Sequence, residues 1–196
     1  MGWAIEWGAA LSNPVRDTKR RKIAKRTRNV DDADWHAVYR IASPMLQCAM
    51  DLALLTGLRR GDLLRLDPRE HLKDDGLHIT TQKTKTALVI EYSDELRAVL
   101  KRALSIGPRF RRTSIITNDH GARLSPGDLG RRWWLLQTKA FPKGQEHRRF
   151  RWQDIRAKSA TESASIAEAS ARLGHSTQAV TARHYMRGAR VVKPLR

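Results

Sequence analysis

Five residues that lie far apart in the sequence have the side-chain types needed to cleave a phosphodiester bond. They are Arg59 in TGLRRGDLL, Lys83 in QKTKT, Arg156 in WQDIRAKSAT, His175 in LGH and Tyr185 in RHY. Attack at phosphorus places extra negative charge on the non-bridging oxygens, and the planar guanidinium of arginine binds two such oxygens without losing its proton. A lysine or histidine can protonate the leaving oxygen, and a tyrosine can act as the nucleophile. This set predicts phosphodiester cleavage through a covalent tyrosine intermediate, without a metal ion.

The charge balance of the chain indicates a polyanionic partner. The 38 Lys and Arg residues outnumber the 20 Asp and Glu residues, which gives a formal net charge of +18. Such an excess destabilises the folded state through self-repulsion, so nucleic acid binding is the natural explanation. A membrane surface is disfavoured because the sequence has neither a long apolar run nor an amphipathic helix with one basic face. The remaining alternative is a basic protein that has no such partner.

Cysteine use and the first residues favour a cytoplasmic protein. The single cysteine, Cys48, lies in the apolar stretch PMLQCAMDLALL, where it cannot form an internal disulfide and is expected to pack as a small hydrophobic residue. The segment MGWAIEWGAAL lacks the basic region of a signal peptide, and Glu6 interrupts its apolar run. No group of Cys and His residues has zinc spacing, so neither a metal nor another cofactor is expected.

Helical periodicity dominates the sequence, and two short segments have the composition of strands. The predicted helices are residues 1–11, DDADWHAVYRIAS, the apolar core helix 44–55, a short segment from Gly61, SDELRAVLKRAL, SPGDLGRRWWLLQTKAF, WQDIRAKSATES, IAEASARLG and TQAVTARHY. The β-branched residues of GLHITTQ and ALVIEY predict a hairpin joined by KTKT, and SIITN predicts a further short strand. The expected class is therefore α+β, mostly helical with a small antiparallel sheet.

Three segments, TGLRRGDLLRL, DIRAKSAT and LGHSTQAVTARHY, occur in this order with a lysine hairpin between the first two. They resemble the catalytic domain of the tyrosine recombinases, also called the phage integrase family. The resemblance runs from about residue 30 to the C-terminus. It implies the DNA breaking-rejoining fold for a catalytic domain at 30–196 that ends in a basic tail. It identifies residues 1–29 as the end of a truncated N-terminal core-binding domain with its basic linker.

The resemblance also implies a role for each candidate residue. Arg59 and Arg156 would clamp the scissile phosphate, and Lys83 would protonate the departing 5′-oxygen. His175 would hydrogen-bond the phosphate and help to manage protons. Tyr185 would attack phosphorus and form a 3′-phosphotyrosine, so that strands are exchanged and resealed without ATP or a metal ion.

Gln153 departs from the family pattern. The second arginine segment of the family usually reads His-x-x-Arg, whereas Gln153 and Arg156 occupy these positions here. A glutamine amide can donate a hydrogen bond to a phosphate oxygen but cannot shuttle a proton. We expect this change to affect the rate of the reaction more than its type.

Nine further basic residues are candidates for contacts with DNA. They are Arg20, Arg21, Lys22, Lys25, Arg26, Lys85, Arg148, Arg149 and Arg151. The run between Arg16 and Arg28 fits a solvated linker as well as a segment that follows a phosphate backbone.

Several candidates also have ordinary structural explanations. Arg59 could pair with Asp62, three residues further on, and Lys85 is a rival for the role of Lys83. His184 is a second candidate histidine, although the family places its histidine in LGH. The neighbouring residues Trp133 and Trp134 fit base stacking and core packing alike.

The resemblance predicts site-specific DNA recombination or integration by an enzyme of a prophage or mobile element. The alternatives are a type IB topoisomerase and a catalytically impaired DNA-binding module. The expected partner is double-stranded DNA, bound by a homo-tetramer that exchanges C-terminal segments, whereas the free chain could be a monomer. Accessory DNA-bending or directionality factors are further expected partners, and the expected location is the cytoplasmic nucleoid. No pattern in the sequence identifies the target DNA site.

Overall fold

The computed structural model describes residues 2–13, 16, 27–107 and 112–185, and in these residues it consists mostly of helices with one small two-stranded sheet. The helices are α1 (Gly2–Glu6), α2 (Asp32–Tyr39), α3 (Pro44–Thr56), α4 (Arg60–Leu64), α5 (Pro68–His71), α6 (Asp94–Ser105), α7 (Pro126–Ala140), α8 (Trp152–Thr161), α9 (Ile166–Leu173) and α10 (Gln178–His184). The strands are β1 (Leu77–Thr80) and β2 (Ala87–Ile90), and a 3₁₀ turn spans Glu146–Arg148. This arrangement confirms the predicted α+β class with a small antiparallel sheet.

Helix α3 lies at the centre of the core, as its apolar sequence predicts. Pro44 occupies the first turn, where its missing N–H costs no hydrogen bond, and Gly57 ends the helix with φ 62°. The helix packs against α6 and α8. Cys48 is fully buried in it, and its Sγ accepts a hydrogen bond from Nε of Arg102 at 3.2 Å.

Polar residues cap the helices where the sequence predicts them. The Asp31 carboxylate accepts from the Asp34 N–H at 2.7 Å at the start of α2. Ser93 Oγ accepts from the Leu96 N–H at 3.2 Å at the start of α6. Both bonds satisfy N–H groups that have no acceptor within the helix.

The two strands form the predicted hairpin. Leu77 pairs with Ile90 and Thr80 pairs with Ala87 in an antiparallel register. A hydrogen bond from α4 holds the turn between the strands: the backbone N–H of Gln82 donates to Oδ1 of Asp62 at 2.9 Å. The hairpin turn is therefore attached to α4.

The prediction of a strand at SIITN was wrong. The segment SIITN forms a single β-bridge, between Thr117 and Arg123, instead of a strand. Ile115 and Ile116 are both fully buried, and the Ile115 N–H donates to the Leu66 carbonyl at 2.7 Å. Burial on both sides, rather than strand pairing, explains the β-branched composition.

Helix α5 was not predicted, although its start has an ordinary signal. Asp67 caps it by accepting from the Arg69 N–H at 2.9 Å, and Pro68 follows in the first turn. The helix has only four residues, which is too short for a periodic pattern to stand out.

A buried lysine attaches the residues before α2 to α8. Lys158 Nζ donates to Asp32 Oδ1 and lies 2.6 Å from it and from Glu162 Oε1, and it lies 3.3 Å from the Val30 carbonyl oxygen. Burial disfavours the charge of Lys158, yet the hydrogen bonds with Asp32 and Glu162 raise its pKa above the usual value. The stretch that enters α2 is thereby held beside the helix that carries Arg156.

Helix α1 is shorter than predicted and largely exposed. Trp3 and Trp7 are 74% and 79% exposed, and their ring centroids lie 5.8 Å apart. Within the described residues, no helix combines the length and apolar character needed to cross a membrane.

Candidate active site

The turn between α3 and α4 brings Arg59 next to α9. A Cβ atom on Gly57 would lie 2.7 Å from a methyl carbon of Leu173, so only glycine allows this close approach. Arg59 follows two residues later as the residue that precedes α4. A glycine in the left-handed conformation therefore sets both the packing of the turn and the position of Arg59.

Arg156 lies on α8 and is 6% exposed. Its guanidinium donates to the Gly57 carbonyl oxygen, and its Nη2 donates to the Leu173 carbonyl oxygen at 2.7 Å. Nη2 also lies 3.3 Å from Nε2 of His175. These acceptors are uncharged, so the hydrogen bonds fix the guanidinium without neutralising it. Burial lowers the pKa of Arg156, and the adjacent Tyr185 acts in the opposite direction.

His175 follows directly after the C-terminal cap of α9. Gly174 has φ 62°, and a Cβ there would lie 3.1 Å from a methyl carbon of Leu88 in β2. The chain therefore turns tightly under the sheet and directs His175 towards Arg156. On its other side, Nδ1 of His175 lies 2.8 Å from Oγ1 of Thr181.

Tyr185 lies at the end of α10, beside both of these residues. Its ring centroid lies 4.9 Å from that of His175 and 5.3 Å from the guanidinium carbon of Arg156. The ring packs against a small apolar cluster formed by Ala160, Ala169 and Leu173 of α8 and α9. The phenol is thus placed by packing, next to a cation and an imidazole.

The six candidate catalytic residues line two adjoining cavities. The first, of about 790 Å³, and the second, of about 740 Å³, share four lining residues: Arg59, Lys83, Gln153 and Tyr185. Arg156 lines the first cavity and His175 lines the second. Residues from distant parts of the sequence therefore converge on one concave, cationic surface.

Two buried guanidinium nitrogens of the residues that line this surface have no acceptor among the described residues. Arg59 Nη1 and Arg156 Nε are buried, and neither has a hydrogen-bond partner among the described residues. An unsatisfied buried donor of this kind costs about 1–3 kcal/mol. The two like charges also repel each other, and this repulsion contributes to the lowered pKa of Arg156. An anion with several oxygens would satisfy both nitrogens and remove the repulsion.

Lys83 and Gln153 are exposed at the edge of the cavities. The bond from the Gln82 N–H to Asp62 holds the turn that carries Lys83. Among the described residues, the ion pair found for Asp62 is with Arg65, whose Nη2 lies 3.7 Å from Oδ1, rather than with Arg59. The rival lysine, Lys85, is exposed, has φ 54° and does not line either cavity. The geometry favours Lys83 over Lys85.

Apart from the exposed Lys85, the eight other predicted DNA contacts divide into three groups. Arg149 and Arg151 line the first cavity, although Arg149 Nε and Nη2 donate to the Phe141 carbonyl at 2.9 and 2.6 Å. Arg148 instead donates to Asp34 Oδ1 at 2.7 Å, which joins its loop to α2. Five members lie outside the described residues: Arg20, Arg21, Lys22, Lys25 and Arg26.

The adjacent tryptophans of α7 have different environments. Trp133 is buried, and its Nε1 donates to the Phe150 carbonyl at 3.0 Å, whereas Trp134 is 62% exposed and lines the first cavity. Trp152 is buried against Trp133, with ring centroids 5.0 Å apart. Of the three tryptophans, Trp134 alone offers an exposed ring to a ligand.

Sequence reasoning missed two polar residues that hold the site together. Asp62 supports the lysine turn, and Thr181 contacts His175; both are buried. Thr181 lies four residues before Tyr185, a spacing that places both on one face of a helix. Within the described residues, no group of His, Cys, Asp and Glu could hold a metal ion.

The sequence is similar to those of phage integrases. The model of the phage integrase family matches residues 31–190. The integrase of Enterobacteria phage P21 is 29% identical over 88% of this chain and 49% of its own length. The integrase of Escherichia phage HK022 is 33% identical over 63% of this chain and 36% of its own length. The chain thus spans half or less of the length of these relatives.

Solved recombinase structures share the fold. A lambda integrase dimer bound to a COC′ core site superposes with a TM-score of 0.76 at 23% identity, over 99% of this chain and 58% of that one. XerA recombinase superposes with a TM-score of 0.65 at 15% identity, over 88% of this chain and 63% of that one. The family match covers most of the residues that form the fold, and it includes all six candidate catalytic residues. The chain belongs to the phage integrase family.

Proposed function

We propose that this chain catalyses site-specific DNA recombination by cleaving and rejoining strands through a 3′-phosphotyrosine intermediate. The observation that carries the proposal is the position of Tyr185, whose ring lies beside His175 and Arg156 in a cavity shared with Arg59 and Lys83. A nucleophile, a proton acceptor, two phosphate-binding cations and a proton donor are the groups that the reaction needs.

The bond changes follow from these positions. The scissile phosphate binds between Arg59 and Arg156, where its oxygens accept from the two buried nitrogens that lack a partner among the described residues. The phenolic oxygen of Tyr185 forms a bond to phosphorus as the bond from phosphorus to the 5′-oxygen breaks. The phenolic proton passes to His175, and Lys83 gives a proton to the departing oxygen. One phosphate ester replaces another, so a 5′-hydroxyl can later reverse the step without an external energy source.

Gln153 supports this reaction by hydrogen bonding rather than by proton transfer. Its exposed amide borders both cavities and can donate to a phosphate oxygen. Proton transfer is then left to His175 and Lys83. We therefore expect this protein to cleave DNA more slowly than an enzyme that has histidine at the position of Gln153.

Double-stranded DNA is the proposed partner. The net charge of +18 and the positions of Arg149 and Arg151 at the cavity suit a polyanion, and the five basic residues between Arg20 and Arg26 are proposed to follow the phosphate backbone. A lambda integrase structure is a tetramer bound to a Holliday junction, and we extend that assembly to this chain. The same proposal includes the division of the chain into the end of a core-binding domain with its basic linker at 1–29 and a catalytic domain at 30–196. It also includes a nucleoid location and the use of DNA-bending or directionality factors.

Covalent trapping on a mixed pool of substrates tests the reaction and selects the target site at the same time. A pool of nicked duplexes with a randomised core is incubated with the protein, and DNA that remains attached after denaturation is recovered and sequenced. The nick lets the short 5′-hydroxyl fragment diffuse away, so that the covalent intermediate accumulates. Tyr185→Phe should abolish adducts while leaving DNA binding intact, and Tyr92→Phe serves as the matched control.

The products separate the alternatives. Joining of strands from two recovered sites supports a recombinase, whereas relaxation of supercoils without joining supports a topoisomerase. Binding without adducts in the wild-type protein supports a DNA-binding module. Adducts that persist at wild-type levels in Tyr185→Phe overturn the assignment of the nucleophile.

A further inference from the structure

Thr181 contacts both the candidate histidine and the candidate nucleophile. Its side chain is fully buried in α10, with Oγ1 2.8 Å from Nδ1 of His175. Its carbonyl oxygen accepts from the backbone N–H of Tyr185 at 2.9 Å. The second contact is available to any residue type, because every residue has a carbonyl group. The first contact requires a hydroxyl.

The hydrogen bonds around His175 determine the position of the proton on its neutral ring. Arginine donates hydrogen bonds and accepts none, so Nε2, which lies 3.3 Å from Arg156 Nη2, is the accepting nitrogen. The proton of the neutral imidazole is then on Nδ1, where Oγ1 of Thr181 accepts it. The opposite tautomer would direct two donors at each other across the contact with Arg156.

We propose that Thr181 is a positioning residue that holds His175 in the Nδ1–H tautomer, with the lone pair of Nε2 directed towards Arg156 and the imidazole ring beside the ring of Tyr185. This inference rests on the proposed function, because it describes how His175 is prepared to accept the phenolic proton. In the proposed step, the bound phosphate accepts the hydrogen bond that Arg156 Nη2 otherwise gives to Nε2, so the Nε2 lone pair takes the phenolic proton as the phenol attacks phosphorus. The ring becomes an imidazolium that still donates through Nδ1 to Thr181. The hydroxyl therefore serves the histidine both before and after the transfer.

Three variants separate this role from simple packing. Thr181→Val keeps the β-branched shape and the carbonyl bond to Tyr185 but removes the hydroxyl, whereas Thr181→Ser keeps the hydroxyl. Thr177→Val is the matched control, because Thr177 is the exposed residue that precedes α10 and its side chain makes no capping hydrogen bond. Thermal unfolding of each variant shows whether the fold is retained.

The first measurement is the single-turnover rate of adduct formation on a nicked duplex recovered by covalent trapping. Thr181→Val should be slower by about 10- to 100-fold, which is less than the full contribution of general acid–base catalysis. Thr181→Ser and Thr177→Val should retain rates close to that of the wild-type protein. An unchanged rate in Thr181→Val, or an equal loss in Thr181→Ser, overturns the proposal.

The second measurement does not depend on activity. Long-range ¹H–¹⁵N NMR of protein labelled in histidine distinguishes the two tautomers, and the His175 signals are assigned by their loss in His175→Gln. The wild-type protein should show a non-protonated Nε2, and Thr181→Val should show a mixture. A protonated Nε2 in the neutral ring of the wild-type protein overturns the inference. If NMR shows the expected tautomer but the wild-type protein forms no adducts, the proposed function is contradicted and the inference about the tautomer is not.

Discussion

The guanidinium carbon of Arg156 lies 5.3 Å from the centre of the Tyr185 ring, and the guanidinium itself is held by the carbonyl oxygens on either side of it. A cation at this distance interacts favourably with the face of an aromatic ring. The same guanidinium has a buried Nε without an acceptor among the described residues. In the proposed reaction, Arg156 therefore acts on both the nucleophile and the scissile phosphate.

Replacement of Arg156 by lysine tests this double role. Lysine cannot reach the Gly57 and Leu173 carbonyls with a rigid fork, so Arg156→Lys should lower the free energy of unfolding by about 2–3 kcal/mol. The rate of adduct formation should fall by at least about 10²-fold, because transition-state donors are lost. Urea unfolding and covalent trapping measure the two effects. Arg69→Lys, an exposed change on α5, should alter neither; a fully active Arg156→Lys would contradict the assigned role.

The leaving group tests Lys83. Lys83→Ala should slow cleavage of ordinary DNA by about 10²–10⁴-fold, because the 5′-oxygen loses its proton donor. DNA with sulfur at the bridging 5′ position should be cleaved at nearly the wild-type rate, since a thiol with an ordinary pKa of about 8.5 leaves without a proton. Lys85→Ala should cleave both substrates normally. Equal defects of Lys83→Ala on the two substrates would show that the lysine has another role.

Gln153 offers a test by gain of function. Gln153→His places an imidazole at the edge of both cavities, and the rate of adduct formation should rise by about tenfold near pH ~6. The gain should shrink as the pH rises through about 6.5, because the imidazolium fraction declines there. Gln153→Ala should be slower than the wild-type protein at every pH. A Gln153→His variant that is no faster at any pH would indicate that hydrogen bonding alone suffices at this position.

Two neighbouring arginines should separate DNA affinity from stability. Wild-type affinity should fall by about 10³–10⁵-fold between about 50 and 200 mM salt if ~6–10 phosphates are contacted. Arg151→Ala, which removes an exposed cation from the first cavity, should reduce the slope of log affinity against log salt by about 1 and leave stability unchanged.

Arg148→Ala is the contrasting variant. It removes one of the donors to the buried Asp34 carboxylate and should cost about 1–3 kcal/mol in urea unfolding, with little change in the salt slope. Salt titrations of DNA binding measure both variants. If Arg148→Ala instead lowered the salt slope and Arg151→Ala lowered stability, Arg148 would be a DNA contact and Arg151 would have a structural role.

The helices, the hairpin and the grouping of the candidate residues could be anticipated because their signals are local. Pro44, Gly57 and Ser93 mark helix ends through backbone conformation or capping, which adjacent residues determine. The resemblance supplied the long-range part, since spacing alone cannot tell that Arg59 and Arg156 meet. Burial was the quantity that sequence reasoning judged least well. Trp133 and Trp134 are adjacent and chemically identical, yet one is in the core and the other lines a cavity.

The supporting polar residues were also beyond sequence reasoning. The spacing of Asp62 and Arg59 suits a local ion pair, whereas in the structure Asp62 lies 3.7 Å from Arg65 Nη2 and accepts from the backbone N–H of Gln82, which is distant in the sequence. Arg148 looked like a member of a basic loop and is instead used to fasten that loop to Asp34. In both cases the preferred partner depends on which groups the tertiary structure removes from water, and a linear pattern does not contain that information.

The anchoring of the hairpin turn by Asp62 has a mechanical consequence. The hydrogen bond fixes the backbone of the turn to α4, whereas the ammonium of Lys83 is carried by a flexible chain of methylene groups. In the proposed reaction, delivery of a proton to a departing strand requires only rotation of the Lys83 side chain, and the backbone of the turn stays in place. The proposed release and recapture of a strand end then need no movement of this turn.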